Sequence, residues 1–120
     1  MADVELTNSI LLSVEKMLGG GSEYEHFHQD IITHINSVFF ILWQLGVGPS
    51  DQPFKITGPD EEWTDFISDE NELESVRTYV YTRVKLMFDP PANSTHMESL
   101  KNLSNELEWR MNVAEDEAYK

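Results

Sequence analysis

Asp89-Pro90-Pro91 divides the last third of this chain into two segments and prevents a single continuous helix across them. Proline cannot donate a backbone hydrogen bond, and it disfavours helical geometry in the residue before it. On both sides of this stop, apolar residues recur at the three- and four-residue steps of an amphipathic helix. They are Leu73, Val76, Val80, Val84 and Met87 before the stop, and Met97, Leu100, Leu103, Leu107 and Met111 after it. The sequence therefore predicts two helices joined by a sharp turn.

Three capping boxes predict where the longer helices begin. Each has a serine, threonine or aspartate followed three residues later by a glutamate, which satisfies two free amides at a helix start. They begin at Ser22, Asp69 and Thr95. The helix that opens at Ser22 is predicted to end at Gly46, and a shorter helix is predicted over residues 9–18.

The helix that opens at Ser22 is unusually rich in apolar residues. One stripe is formed by Phe27, Ile31, Ile35, Val38, Leu42 and Leu45, and it is widened by Ile32, Phe39, Phe40, Ile41 and Trp43. A helix with so little polar surface is expected to be central and buried on several sides.

Residues 46–59 contain three glycines and three prolines and are predicted to be irregular. Residues 60–67 are predicted to form a short helix with Trp63, Phe66 and Ile67 facing inward. We therefore predict an all-α protein, a small helical bundle of four main helices plus one short helix, with an irregular Gly/Pro loop. Residues 1–113 are predicted to form the domain, and residues 114–120 a flexible acidic C-terminal tail.

The chain carries 22 carboxylates and eight lysines and arginines, which gives a net charge of −14. Such a surface repels a phosphate backbone, so a direct grip on DNA or RNA is not expected. The charge either serves solubility alone, or suits a protein that sits near nucleic acid without adhering to it or that meets a basic partner.

The absence of cysteine excludes disulfides and thiolate sites. The first twenty residues do not resemble a signal peptide, and the longest apolar run, 38–43, is too short to cross a bilayer, which predicts a soluble protein without a membrane partner.

No group of residues predicts catalysis. His26, Asp30 and His34 share a helix face, but three donors spread over two turns cannot converge on one ion without other ligands. Histidines at the surface or at the edge of the core are the alternative interpretation. Glu61 and Asp65 are a chance pair in a chain so rich in acids. We predict neither enzyme activity nor a metal or cofactor site.

Trp109 is the exception to an otherwise regular pattern. At about 100° per residue it lies on the side of its helix opposite Leu100. Tryptophan is enriched where proteins meet, so this face is predicted to be an interface, and the alternative is that another helix covers it in the monomer. A helix with two unlike faces can join copies head-to-tail, and such a contact makes a ring when it closes.

The sequence resembles phage head–tail connector proteins, also called adaptor or head-completion proteins, from about Ser9 to Val113. The resemblance is carried by DIITHIN at 30–36, LGVGP at 45–49, WTDF at 63–66, VKLMFDPP at 84–91 and LEWR at 107–110. It implies a structural virion protein whose subunits form a ring, usually dodecameric, beneath the portal protein. The ring extends the DNA channel without binding DNA specifically, and it docks a stopper or tail-completion protein.

The resemblance also implies a place and a set of contacts. The protein is expected at the neck of the virion after synthesis in the host cytoplasm, with the C-terminal segment reaching the portal. The interface residues predicted for the portal or a neighbouring subunit are Trp109, Val113, Tyr119, Asp89, Pro90 and Pro91. The alternative function is an acidic DNA mimic or inhibitor that binds a host nucleic-acid-binding protein, although the acids cluster at helix starts, where capping explains them.

Overall fold

The computed structural model describes residues 8–19 and 27–118, with the backbone alone over 114–118. Within these residues there is no strand, and the chain forms five helices: α1 (Ile10–Met17), α2 (His28–Gln44), α3 (Trp63–Phe66), α4 (Glu70–Phe88) and α5 (Ser94–Ala118). An antiparallel bridge between Ser9 and Glu62 ties the entry to α1 against the entry to α3. The predicted all-α bundle of four main helices and one short helix is confirmed.

Side chains cap two helix starts, the predicted one at Asp69 and one at Ser9 that was not predicted as a cap. The Ser9 hydroxyl accepts a hydrogen bond from the Leu12 amide at 3.3 Å and donates one to the Pro59 carbonyl at 2.7 Å. The Asp69 carboxylate accepts from the Asn71 amide at 3.0 Å. Each side chain satisfies an amide that the first turn of a helix leaves free.

The start of α5 differs from the prediction. The Asn93 side chain accepts from the His96 amide at 3.0 Å, and the helix begins at Ser94. Thr95 therefore lies within the first turn and is not the cap, so that prediction is wrong. Asparagine is among the strongest N-cap residues, and here it precedes the predicted box by two positions.

The helix α2 begins at His28 in the described structure, and the predicted box at Ser22 lies outside the described residues. Phe27 precedes α2 and is 43 % exposed, so its predicted place in the buried stripe is wrong. The end of α2 agrees with the prediction: Gly46 has a φ of 88°, and the Val47 amide turns back to bond the Leu42 carbonyl at 2.9 Å. Glycine adopts this left-handed conformation without steric cost.

The helix α4 lies between α2 and α5, and it also packs against α1. Its Tyr79, Val80 and Val84 side chains are fully buried. On the far side of α2, the Phe39 ring contacts the rings of Phe54 and Phe66, with centroids 5.3 and 4.7 Å apart. The core therefore continues from α5 through α4 and α2 to the irregular loop.

One residue of each stripe predicted on α4 and α5 faces the solvent. Met87 is 39 % exposed and Leu103 is 38 % exposed, so their predicted burial is wrong. Ser104, next to Leu103, is buried in its place at 1 % exposure. Since α5 packs mainly against α4, only a narrow arc of the helix is covered, and Leu103 lies at the margin of that arc.

The backbone of α5 remains helical to Ala118, beyond the predicted domain boundary at Val113. Most of the predicted tail therefore has helical backbone, and its behaviour as a separate segment stays a prediction. Over the described chain, no helix has the length and apolar character needed to span a membrane.

Candidate interaction surfaces

The pairing of α4 with α5 fixes the orientation of Trp109. The Tyr79 hydroxyl donates a 2.7 Å hydrogen bond to the Glu108 carboxylate, and the Arg83 guanidinium lies 3.4 Å from the same carboxylate. Burial, and then the hydrogen bond to Glu108, raise the pKa of the Tyr79 hydroxyl above its ordinary value. Because Glu108 is held toward α4, the next residue points away from it.

Trp109 is 66 % exposed. One turn of helix brings Val113 to the same side, where it is half-buried, and Arg110, the next residue in sequence after Trp109, forms an ion pair of 2.6 Å with Glu106. The alternative that another helix covers Trp109 in the monomer is therefore wrong for the described chain. Its role at an interface stays a prediction.

The other predicted interface residues lie elsewhere. Asp89 and Pro90 are exposed and Pro91 is half-buried at the turn between α4 and α5, and Asp89 is paired with Lys85 at 3.1 Å. At a rise of 1.5 Å per residue, the start of α5 is roughly 22 Å from Trp109 along the helix. The structure therefore separates the predicted residues into two areas. Tyr119 lies outside the described residues.

A second aromatic surface, around Phe40, was missed at the level of sequence. Phe40 was predicted to be buried and is 47 % exposed, with its ring 5.7 Å from that of Trp43. The apolar run 38–43 held the signal, because consecutive residues 100° apart cover the whole circumference of a helix. A helix that is not covered all the way round must expose part of such a run.

Phe40 borders a surface groove of about 610 Å³ between α2 and the irregular loop. Its other lining residues are Pro49, Gln52, Pro53, Phe54, Lys55 and Asp65. A shallower groove of about 410 Å³ adjoins it and shares Phe40 and Lys55. We call the two together the Phe40 groove.

The loop that forms one wall of the Phe40 groove is tied firmly to α2. The Asn36 side-chain amide donates to the Ile56 carbonyl at 3.1 Å, and its oxygen accepts from the Ile56 amide at 2.8 Å. The Trp43 indole donates to the Ser50 carbonyl at 3.1 Å. The groove is therefore a preformed feature of the fold.

Lys55 is exposed at the Phe40 groove, and its ammonium has no carboxylate within ion-pair distance in the part of the chain that the structure describes. Three other cations in that part, Arg83, Lys85 and Arg110, are each paired with a carboxylate. The groove thus combines apolar walls with an available positive charge.

The candidate metal ligands do not form a site in the described chain. His26 lies outside the described residues, Asp30 is exposed, and the His34 ring packs edge-on against Phe88 with centroids 6.1 Å apart. Over residues 8–19 and 27–118, no cluster of three or more histidine or acidic side chains is arranged to hold a metal ion.

Glu61 and Asp65, the chance acidic pair, both accept hydrogen bonds from the backbone. Glu61 accepts from the Thr57 hydroxyl at 2.9 Å and the Thr57 amide at 3.0 Å. Asp65 accepts from the Glu62 amide at 2.9 Å. These carboxylates stabilise the loop and the start of α3.

Together these features define a small helical protein whose candidate functional features are two separate exposed aromatic surfaces. The chain matches the family model described as phage connector protein over residues 10–118, and it belongs to that family. This is a family of structural proteins, and membership makes the chain a component of the virion neck. Searches of curated proteins and of solved structures found no match.

Proposed function

We propose that this protein is a head–tail connector subunit that forms a ring beneath the portal, extends the DNA channel and docks the next neck or tail protein. The observation that carries the proposal is the 66 % exposure of Trp109 in a chain that belongs to the phage connector family. A large aromatic side chain exposed to water favours association, because burying one such side chain removes roughly 150–250 Å² of mostly apolar surface from water.

The two unlike faces of α5 support a ring. Met111 is 6 % exposed and belongs to the core, whereas Trp109 faces the solvent on the other side. A copy that presents Trp109 to a different surface on its neighbour makes a heterologous contact, and such contacts generate closed rings when the rotation between copies permits.

The charge supports a channel through which DNA moves. A net charge of −14 gives the subunit a surface that repels phosphates. DNA would pass such a wall without specific binding, because few cations are available to displace its counterions. Arg83, Lys85 and Arg110 are already held in ion pairs, which leaves still fewer cations for DNA.

Two further segments complete the proposed arrangement. The C-terminal segment 114–120 reaches the portal, with Val113 and Tyr119 in that contact. The turn at Asp89, Pro90 and Pro91 provides a second contact, with a neighbour or with the stopper or tail-completion protein. The subunit is made in the host cytoplasm and joins the particle as the head is completed.

The proposal is tested by mixing the purified protein with the portal protein of the same phage and imaging the product by electron microscopy. The expected result is a ring of density on the tail-facing side of the portal. The variant Trp109→Ser is expected to reduce ring formation at least tenfold.

The control is Met17→Ser, which removes a side chain of similar exposure, 61 %, from α1. Rings that form equally well with Trp109→Ser would show that Trp109 is not part of an interface. Portal particles without added density under all conditions would contradict the connector function itself.

A further inference from the structure

The two aromatic surfaces of this chain fit each other. We propose that Trp109 of one copy inserts into the Phe40 groove of the next copy, so that the ring is built from a single repeated head-to-tail contact. This inference rests on the proposed ring and names the surfaces that form it.

The dimensions of the groove suit an indole ring. Its main part, about 610 Å³, lies within the range of roughly 300–1,000 Å³ for small-molecule clefts, which leaves room for an indole ring. Phe40, Phe54 and the loop prolines provide apolar walls, and Phe40 is already 47 % exposed. The loop hydrogen bonds from Asn36 and Trp43 keep the groove open, so little ordering is needed when the indole enters.

Charge complementarity selects a second copy of this chain as the occupant. Lys55 at the groove lacks an ion-pair partner within the described residues. Glu106 lies one turn from Trp109 on α5, where its carboxylate also pairs with Arg110 at 2.6 Å. Two copies that each carry a net charge of −14 repel one another, and this contact places Glu106 of one copy beside Lys55 of the next, so that one attraction offsets part of the repulsion.

The topology makes the contact heterologous. Phe40 lies on α2 and Trp109 on α5, with α4 packed between these helices. The groove and the indole are therefore on different sides of the subunit, and a copy that uses one still offers the other. Each added copy leaves one unoccupied Phe40 groove and one exposed Trp109 on the growing assembly until the ring closes.

Complementation between two variants tests this geometry. Trp109→Ser retains an intact groove, and Phe40→Ser retains an intact indole. Sedimentation velocity of each variant alone is expected to show self-association weakened roughly thirtyfold or more, the range for removal of a hot-spot aromatic. An equimolar mixture is expected to form a one-to-one dimer, twice the chain mass of 13.9 kDa, that does not grow further.

A second pair of variants avoids any doubt about the folding of Phe40→Ser. Lys55→Glu alone is expected to weaken association at least threefold, and Lys55→Glu combined with Glu106→Lys is expected to recover it. Met17→Ser again serves as the control, and circular dichroism confirms the helical content of each variant.

The outcomes separate this inference from the proposed function. If the wild-type chain forms rings with or without portal protein, but the variant mixture gives no dimer and Lys55→Glu has no effect, the head-to-tail contact is overturned and the connector function stands. If the wild-type chain neither self-associates nor binds portal protein, the proposed function fails and the contact fails with it.

Discussion

The Tyr79 hydroxyl and the Glu108 carboxylate, 29 positions apart in sequence, form a 2.7 Å hydrogen bond that joins α4 to α5. Tyr79 is fully buried and Glu108 is half-buried. The bond therefore satisfies a hydroxyl that has no access to water, and it sets the rotation of α5 that leaves Trp109 outside.

We expect Tyr79→Phe to lower the free energy of unfolding at neutral pH by about 1.5–3 kcal/mol, the range for a lost hydrogen bond to a charged acceptor. Because the pKa of Tyr79 is raised in the folded state, its contribution is complete below the unfolded pKa of about 10 and is lost as pH rises above that value. Urea unfolding at pH 7 and at alkaline pH measures both effects. The difference in free energy of unfolding between wild type and variant should become smaller above about pH 10. Thr78→Ala, an exposed change on the same helix, is the control; an equal loss from both variants would contradict the role of the bond.

Glu61 is expected to stabilise the irregular loop in a pH-dependent way. Burial alone would raise its pKa, but hydrogen bonds from the Thr57 side chain and from the Thr57 and Gly58 amides outweigh burial and lower the pKa. A lowered folded-state pKa gives stability that is present above the unfolded pKa and is lost as pH falls through the folded pKa. Glu61→Gln should therefore destabilise the protein at pH 7 and have a smaller effect below about pH 4, near the ordinary glutamate pKa. Thermal unfolding, monitored by circular dichroism, checks this prediction. A difference in unfolding midpoint between wild type and Glu61→Gln that stays constant from pH 7 to pH 3 would contradict it.

Ser13 is expected to stabilise the protein by accepting a hydrogen bond from the buried Trp63 indole. The Trp63 indole donates a 2.8 Å hydrogen bond to the Ser13 hydroxyl, and both residues are buried. Ser13→Ala leaves a buried N–H without its acceptor and should cost about 1–3 kcal/mol. Ser37→Ala is the matched control, since Ser37 also bonds a helix carbonyl one turn back but is exposed. Urea titration monitored by tryptophan fluorescence gives both values, and similar losses in the two variants would exclude the proposed role.

Gly48 is expected to tolerate no side chain. Its φ is 89°, and an added Cβ would lie 2.6 Å from Cζ of the Phe66 ring. We expect Gly48→Ala to cost about 2 kcal/mol or more through backbone strain and displacement of Phe66. Gly58→Ala, where an added Cβ meets no atom within 4 Å, should change stability by less than about 1 kcal/mol. The midpoint of urea unfolding distinguishes the two, and equal midpoints would contradict the strain.

Local chemistry was read well from the sequence. The cap at Asp69, the stop at Asp89 and the end of α2 at Gly46 each depend on a few adjacent residues, and the structure contains all three. Helical periodicity also placed Trp109 on the side of α5 opposite Leu100, although its exposure was decided only by the structure. These features need no knowledge of which helices become neighbours.

The cap of α5 was misplaced locally, at Thr95 in place of Asn93, and the other errors arose where burial depends on a neighbour. Periodicity gives the angle between two residues of a helix, but not the width of the arc that another helix covers. Leu103 and Phe40 are apolar residues left exposed because α5 meets mainly α4 and because the outer side of α2 near Phe40 is only partly covered by the loop. The Phe40 groove itself depends on tertiary contacts between Asn36 and Ile56, which no local pattern predicts.

The dependence of α5 on one main packing partner also has a kinetic consequence. A helix held chiefly by α4 can detach and re-form without unfolding α1, α2 and the aromatic cluster around Phe39. Its backbone amides should therefore exchange with deuterium faster than those of α2. Assembly through Trp109 would slow that exchange. The fraction of subunits with slowly exchanging α5 amides would therefore measure the fraction assembled into rings.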